Sequence, residues 1–215
     1  MMKGLILVAY ESPHGSTAEV AQRIAAELRA SGFEVDCRAM REVRSIGDYR
    51  AIVVGAPFYF GRWPRAARRF LGRFGPDLVH RQVALFATGQ VDARQPVEQI
   101  TGQLDTMLRR YDWLHPVSVG MFGGRWDPDG LDGVHRWLNK LPASPLRVLP
   151  VADLRSWPDI DKWAGEVGRR FEAAAAQPHP VQTRAPSLSR AAAPFTVIRE
   201  YLGDQQLPSR LRKPR

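Results

Sequence analysis

The stretch LILVAYESPHGSTAEVAQRIAAEL, residues 5–28, constrains the fold more than any other part of the chain. Leu5 to Tyr10 is an unbroken apolar run, the signature of a strand covered on both faces, as in a parallel sheet. From Thr17 onward Val20, Ile24, Ala25 and Leu28 recur at helical spacing, with Glu19, Gln22, Arg23 and Glu27 on the opposite side. The intervening turn, residues 12–17, therefore lies at the carboxyl end of a strand and the amino end of a helix. In an open parallel sheet that is where ligands bind. Free backbone N–H groups at a helix start favour an anion, and the hydroxyls of Ser12, Ser16 and Thr17 add donors. A phosphate suits such a turn.

The same plan repeats downstream. A strand is expected at Glu34 to Arg38, and YRAIVVGAPFYFGRWPRAARRFLGRF contains a strand over 51–55 and a helix from about Pro64 to Arg73. RQVALFATGQ is a further strand, and PVEQITGQLDTMLRRY an amphipathic helix. PVSVGMFGGRWDPDG begins as a strand and dissolves into glycines. A short strand near 146–150 and a helix over 158–176, carrying Ile160, Trp163, Ala164, Val167 and Phe171, complete the body. Alternating strands and helices imply an α/β protein with a parallel sheet wound on both faces.

From Gln177 the composition changes. Prolines 178, 180, 186 and 194 punctuate a segment of low apolar content, so one domain over 1–177 and an extended tail over 178–215 are expected. The tail carries seven of the Lys and Arg residues and two of the Asp and Glu, accounting for +5 of the formal net charge of +9. Because the excess is concentrated there, it is a poor nucleic-acid signal for the body, and no nucleic-acid partner is expected. The apolar patch of Phe195, Val197, Ile198, Tyr201 and Leu202 beside those charges suggests peripheral contact with an anionic membrane surface; the alternative is a solvated end. No apolar run approaches the ~18 residues of a spanning helix, and Glu11 interrupts the N-terminal run, so a cytoplasmic protein is expected. Cys37, the single cysteine, reads as packing. The histidines lack metal-ligand spacing, and no metal is expected.

Three turns follow three strand ends, and a ligand lying across that edge of the sheet would touch all of them. The first offers Ser12, His14, Gly15, Ser16 and Thr17; the second Ala56, Pro57, Phe58, Tyr59, Phe60 and Gly61; the third Thr88, Gly89, Gln90 and Asp92. The first is small and hydroxylic and the second aromatic, as a ligand with a phosphate at one end and a flat ring beyond it requires. Neither G-x-G-x-x-G after the first strand nor G-x-x-x-x-G-K-[ST] is present, which disfavours a dinucleotide fingerprint and a nucleoside triphosphatase.

On SPHGST, VVGAPFYFGRW and FATGQ, the chain resembles the flavodoxin-like proteins over roughly residues 3–176. The resemblance implies a five-stranded parallel sheet of order 2-1-3-4-5 binding FMN across the three turns, as in flavodoxin itself. The closer similarity, on GAPFYFGRWPRAARRFL, GMFGGRWDPDGLDGVHRWLNKL and DLRSWPDIDKWAGEV, is to the flavodoxin-type, quinone-dependent protoporphyrinogen oxidases of heme biosynthesis. That family implies a small-molecule substrate and a quinone as acceptor, with an insertion in or after the fifth strand. The insertion here is rich in Asp and Gly rather than apolar and basic, a departure that bears on membrane docking and on the quinone.

Arg62, Arg65, Arg69 and Arg73 recur along one helix stripe with no acidic residue between Arg62 and Pro76. A solvated face is the ordinary explanation; the alternative is that Arg62, Trp63, Arg65 and Arg69 meet a carboxylate-bearing substrate or an acidic partner. No side chain is assigned as catalytic acid or base. The resulting reading is an FMN oxidoreductase. Its rivals are a flavodoxin-type electron carrier working with a redox protein, a nicotinamide-fed quinone reductase, a deazaflavin-binding relative and a flavin-free interaction module.

Overall fold

The computed structural model describes residues 4–58, 61–89, 97–126 and 152–175. The elements run β1 (Leu5–Tyr10), α1 (Ser16–Ala30), β2 (Glu34–Ala39), a single 3-10 turn (Met40–Glu42), β3 (Ala51–Pro57), α2 (Arg65–Leu78), β4 (Gln82–Gly89), α3 (Val97–Leu108), β5 (Ser118–Gly123), β6 (Arg125–Trp126), β7 (Ala152–Asp153) and α4 (Trp157–Ala175). Strands β1 to β5 form one sheet in the order β2-β1-β3-β4-β5, every pair parallel, as expected. In register, Val8 lies between Cys37 and Val53, and Ala84 between Val53 and Ser118.

Why β1 and β3 are apolar throughout follows from the two cores. Side chains alternate across a strand, so Ile6 and Val8 pack on one face with α1 and α4, while Leu7 and Ala9 pack on the other with α2 and α3. The first core holds Val20, Ile24 and Leu28 of α1 against Trp163, Val167 and Phe171 of α4. The second holds Phe70, Leu71, Phe74 and Leu78 of α2 with Leu104 and Met107 of α3. α1 and α4 are also joined at their surface by the two-pronged contact of Arg23 with Asp161, both distances 2.6 Å. The Arg23 guanidinium holds the Asp161 carboxyl below the usual carboxylate range.

α2 runs five residues beyond its expected end. Gly75 and Pro76 are stop signals in a sequence pattern, yet the helix continues through both to Leu78. Burial explains it: Phe74 and Leu78 belong to the core, and the backbone at Gly75 lies so close to Trp113 that a Cβ would come within 3.2 Å of its ring. Cys37 is half-buried against the first core, and burial pushes its thiol up to about 11, in keeping with a packing role. The expected strand near 146–150, most of the insertion, and the tail over 178–215 lie outside the described residues.

The central strand β3 is buried along its whole length. At Gly55 a Cβ would lie 1.9 Å from the Phe86 ring of the neighbouring strand, so the ring occupies the volume a side chain would need. Replacing Gly55 by Ala should destabilise the protein by about 1–3 kcal/mol, the range for overpacking a filled core. Urea denaturation checks this, and Phe86→Leu added to Gly55→Ala should recover part of the loss. An unchanged unfolding midpoint in the single variant would contradict the packing argument.

Candidate functional site

The carboxyl ends of β1, β3 and β4 lie side by side, and their hydrogen bonding continues past the strands. The Glu11 N–H donates to the Gly55 carbonyl at 2.9 Å, and the Phe58 N–H to the Thr88 carbonyl at 2.6 Å. The three expected turns therefore leave one edge of the sheet together.

The first turn combines open space with backbone donors at a helix start. Gly15 precedes α1 at φ 84°, a conformation that L side chains rarely adopt, and a Cβ built there would meet nothing within 4 Å. That space is open to a ligand. The Ala18 N–H is taken by the Ser12 hydroxyl oxygen at 3.0 Å, which leaves the Ser12 proton to be donated elsewhere. The Glu19 N–H bonds the Gly15 carbonyl at 3.1 Å. The amides of Ser16 and Thr17, by contrast, precede the first intrahelical donor and have no partner within the helix. His14 is half-buried in the same turn.

Thr17 is not simply a ligand-facing hydroxyl. It is 2% exposed, and its Oγ1 lies 2.6 Å from Oγ1 of Thr88, also 2% exposed. One of the two donates, so the pair retains one O–H beyond the bond it makes internally. This bond spans the end of β3 and joins the first turn to the third. Gly89, next along, is confined from the same side: a Cβ would stand 3.0 Å from the Phe58 carbonyl oxygen.

The second turn divides. Ala56, Pro57 and Phe58 are buried, and Phe58 packs in the core with Trp63. Trp63, expected beside a substrate, is 2% exposed and lies in the core beneath the turn, because its ring fills the space over α2 rather than facing solvent. Gly61 takes φ 72°. Arg62, Arg65, Arg68 and Arg69 are exposed, where the second turn enters α2. Tyr59, Phe60, Gln90 and Asp92 lie outside the described residues. Among the described residues no cluster of His, Cys, Asp or Glu is placed to hold a metal.

Sequence reasoning missed a group beside the first turn. Arg155, only 4% exposed at its side chain, bonds Asp153 through Nε at 2.7 Å and Nη2 at 2.6 Å, and Glu19 of α1 through Nη1 at 2.6 Å. Its guanidinium also lies 4.7 Å over the Trp157 ring. The Arg155 hydrogen bonds hold the Asp153 carboxyl below its usual range. The signal was the Asp-x-Arg spacing of residues 153–155, which in sequence reads as an ordinary surface pair.

A phosphate-ready turn after β1 of a parallel 2-1-3-4-5 sheet, with two further turns at the same edge, defines a flavodoxin-like α/β protein. The flavodoxin domain model matches residues 7–144, and the chain belongs to that family, whose cofactor is FMN. The open amides, the remaining hydroxyl protons and the free space at Gly15 fit the FMN phosphate. Protoporphyrinogen IX dehydrogenase [quinone] of Escherichia coli K12 is 26% identical over 130 residues, 60% of this chain. The chain spans 65% of that relative's length. Among solved structures, a short-chain flavodoxin associated with a bacterial microcompartment aligns over 81% of this chain and 99% of its own, at 14% identity and TM-score 0.52. Rubredoxin oxygen:oxidoreductase of Desulfovibrio gigas aligns over 82% of this chain and 38% of its own, at 16% identity and TM-score 0.50. Family and fold thus define an FMN-binding oxidoreductase or electron-transfer protein.

Removing a hydrogen bond to a charged group costs about 1.5–3 kcal/mol, and orphaning a buried hydroxyl about 1–3 kcal/mol. Ser16→Ala and Thr17→Ala are therefore expected to weaken FMN tenfold or more, and Thr88→Val to lower thermal stability as well, by stranding the Thr17 hydroxyl. Gly15→Val should be the most damaging for FMN, since it adds backbone strain to steric obstruction. Fluorescence titration of apoprotein measures each affinity; wild-type affinity in the Ser16, Thr17 and Gly15 variants would move the phosphate elsewhere.

Proposed function

We propose that the protein is an FMN-dependent oxidoreductase that takes two electrons and two protons per turnover from a carboxylate-bearing organic substrate, protoporphyrinogen being the foremost candidate, and passes them to a quinone. The observation that carries this reading is the arginine group at the start of α2. Arg62, Arg65, Arg68 and Arg69 stand exposed at the sheet edge where the three turns meet, and none has a carboxylate partner among the described residues. Guanidinium groups left in that state suit a ligand with several carboxylates, which they bind in bidentate fashion. The weak similarity to protoporphyrinogen IX dehydrogenase supports the same substrate class.

When bound, FMN supplies the two-electron chemistry. The chain's own contribution is positioning. The amides of Ser16 and Thr17 and the hydroxyls of the first turn take the phosphate; Ala56, Pro57 and Gly61 bring backbone to the ring; Thr88 and Gly89 close the third side. Arg62, Arg65 and Arg69 hold the substrate by its carboxylates. No side chain need act as acid or base, because protons released on oxidation can pass to the acceptor or to water.

An electron carrier is the rival reading, and the exposed arginine face favours it equally if the partner is an acidic redox protein. Anaerobic mixing of the oxidised protein with protoporphyrinogen separates the two, with flavin bleaching and porphyrin fluorescence followed together and menadione then added. The enzyme reading expects flavin bleaching on mixing and porphyrin fluorescence once menadione reoxidises the flavin, since several two-electron steps separate a porphyrinogen from a porphyrin, and expects Arg62, Arg65 and Arg69 changed to Gln to leave FMN bound while raising the apparent substrate constant by about tenfold per lost contact. A carrier yields neither signal and exchanges single electrons with proteins in a salt-dependent way.

The acceptor's location suggests a role for the basic tail at an anionic membrane, each basic residue adding about 1 kcal/mol near the surface. Full-length protein should then sediment with phosphatidylserine vesicles more strongly than residues 1–177 alone. Equal partitioning would remove the tail from the account.

A further inference from the structure

We propose that Arg155 is a positioning residue for the cofactor phosphate: held by the β6–β7 pair against Glu19, it neutralises the carboxylate that the first turn of α1 carries. The inference rests on the placement of the phosphate at the start of α1.

The geometry is that of a clamp whose arginine is buried and whose two carboxylates are half exposed. β6 and β7 pair antiparallel, with Arg125 opposite Asp153 and Trp126 opposite Ala152. Residues 127–151 lie between these two strands in the chain, so the pair forms the base of that excursion. The strand pair is short and would not be stable alone. It is tied down in two ways. The Leu154 N–H donates to the Gly124 carbonyl at 3.0 Å, and Gly123 has no side chain because the Leu154 carbonyl oxygen would lie 1.9 Å from its Cβ. The second tie is ionic. Arg155 reaches from the end of β7 to Glu19, and Arg125 of β6 stands 3.8 Å from the other oxygen of the same carboxylate.

Glu19 is the acidic residue of the first turn of α1. A carboxylate there favours the helix, because it faces the positive end of the dipole. For the same reason it competes with any anion bound at that end. Two guanidinium groups on Glu19 cancel its charge where a phosphate would feel it. The Arg155 side chain is nearly excluded from water, while the Glu19 carboxylate it meets is about half exposed, so the contact is fixed in geometry and partly screened by solvent. Asp153 accepts from Nε and from Nη2, so three of the five N–H donors are engaged on two carboxylates and the direction of the guanidinium is fixed. The Trp157 ring supports its flat face. Lysine offers neither the fork nor the stacking plane.

The test compares FMN with riboflavin, which shares the ring and lacks the phosphate, by fluorescence titration of apoprotein. R155Q should weaken FMN by about tenfold while changing riboflavin less than about twofold, since the exposed charge of Glu19 acts on the phosphate alone. E19Q should bind FMN as tightly as wild type or more so. E19Q/R155Q should recover at least half of the logarithmic loss, because the offending carboxylate has gone. R155K retains charge without the fork and should stay within about threefold of wild type for FMN; R155M, which keeps the apolar stem without the charge, takes the place of R155Q if R155Q does not fold. An equal loss for FMN and riboflavin, in R155Q or R155K, would reduce Arg155 to a merely structural residue and overturn the inference. So would an unchanged FMN constant in R155Q, or a double variant no better than R155Q. T17A run in parallel separates the two claims. If it weakens FMN more than riboflavin and R155Q does not, the inference fails alone; if T17A treats both alike, the phosphate placement fails with it.

Discussion

One buried hydrogen bond, from hydroxyl to hydroxyl between Thr17 and Thr88, joins the start of α1 to the end of β4 across the end of β3. The rest of the site depends on it. β1 and β4 are not neighbours in the sheet, so a contact between their turns requires β3 to pass beneath without obstruction. The sequence of β3 at that point, Gly55-Ala56-Pro57, is small and short of projecting groups. With Phe86 filling the space over Gly55, the same face of β4 offers Thr88 two residues further on. In a dry environment an unpaired hydroxyl is costly, so each threonine specifies the position of the other. The phosphate turn and the third turn are thereby set at a fixed separation before any ligand arrives.

Charge is distributed around this frame in two different ways. On the α1 side Arg23 and Arg155 are paired with carboxylates: Arg23 bonds Asp161, and Arg155 bonds Asp153 and Glu19. They join elements and stiffen the scaffold under the phosphate turn. On the α2 side, Arg62, Arg65, Arg68 and Arg69 face solvent without such partners among the described residues, while Arg73 turns back to the Arg44 carbonyl and lies over Phe74. Paired guanidiniums build structure and unpaired ones remain available to ligands. That contrast separates the two faces more sharply than net charge does.

The legible part of the sequence was the part governed by local pattern. Continuous apolar strands, the break at residues 12–17 and the periodicity of α1 and α4 located the sheet, its winding and the turn that meets the phosphate. Less legible was what distant burial decides. α2 outran Gly75 and Pro76 because Phe74 and Leu78 are held in the core. Trp63 and Phe58, aromatic residues in a turn, read as ligand contacts from sequence, and the fold adds that both pack in the core. Aromatic character alone does not distinguish a ring that faces a ligand from one that supports the loop carrying it.

By itself the amino-acid sequence determined the α/β class, the succession of the five sheet strands with their helices, and the family, since each rests on residues adjacent in the chain or repeating at a short period. Tertiary structure alone decided the pairing of Thr17 with Thr88, 71 residues away, and of Glu19 with Arg155, 136 residues away. It also decided which arginines are spent on carboxylates and which stay exposed. Hydrogen bonds and ion pairs between residues so far apart depend on which strand ends and helix starts are brought within about 3 Å, and nothing in local periodicity carries that distance.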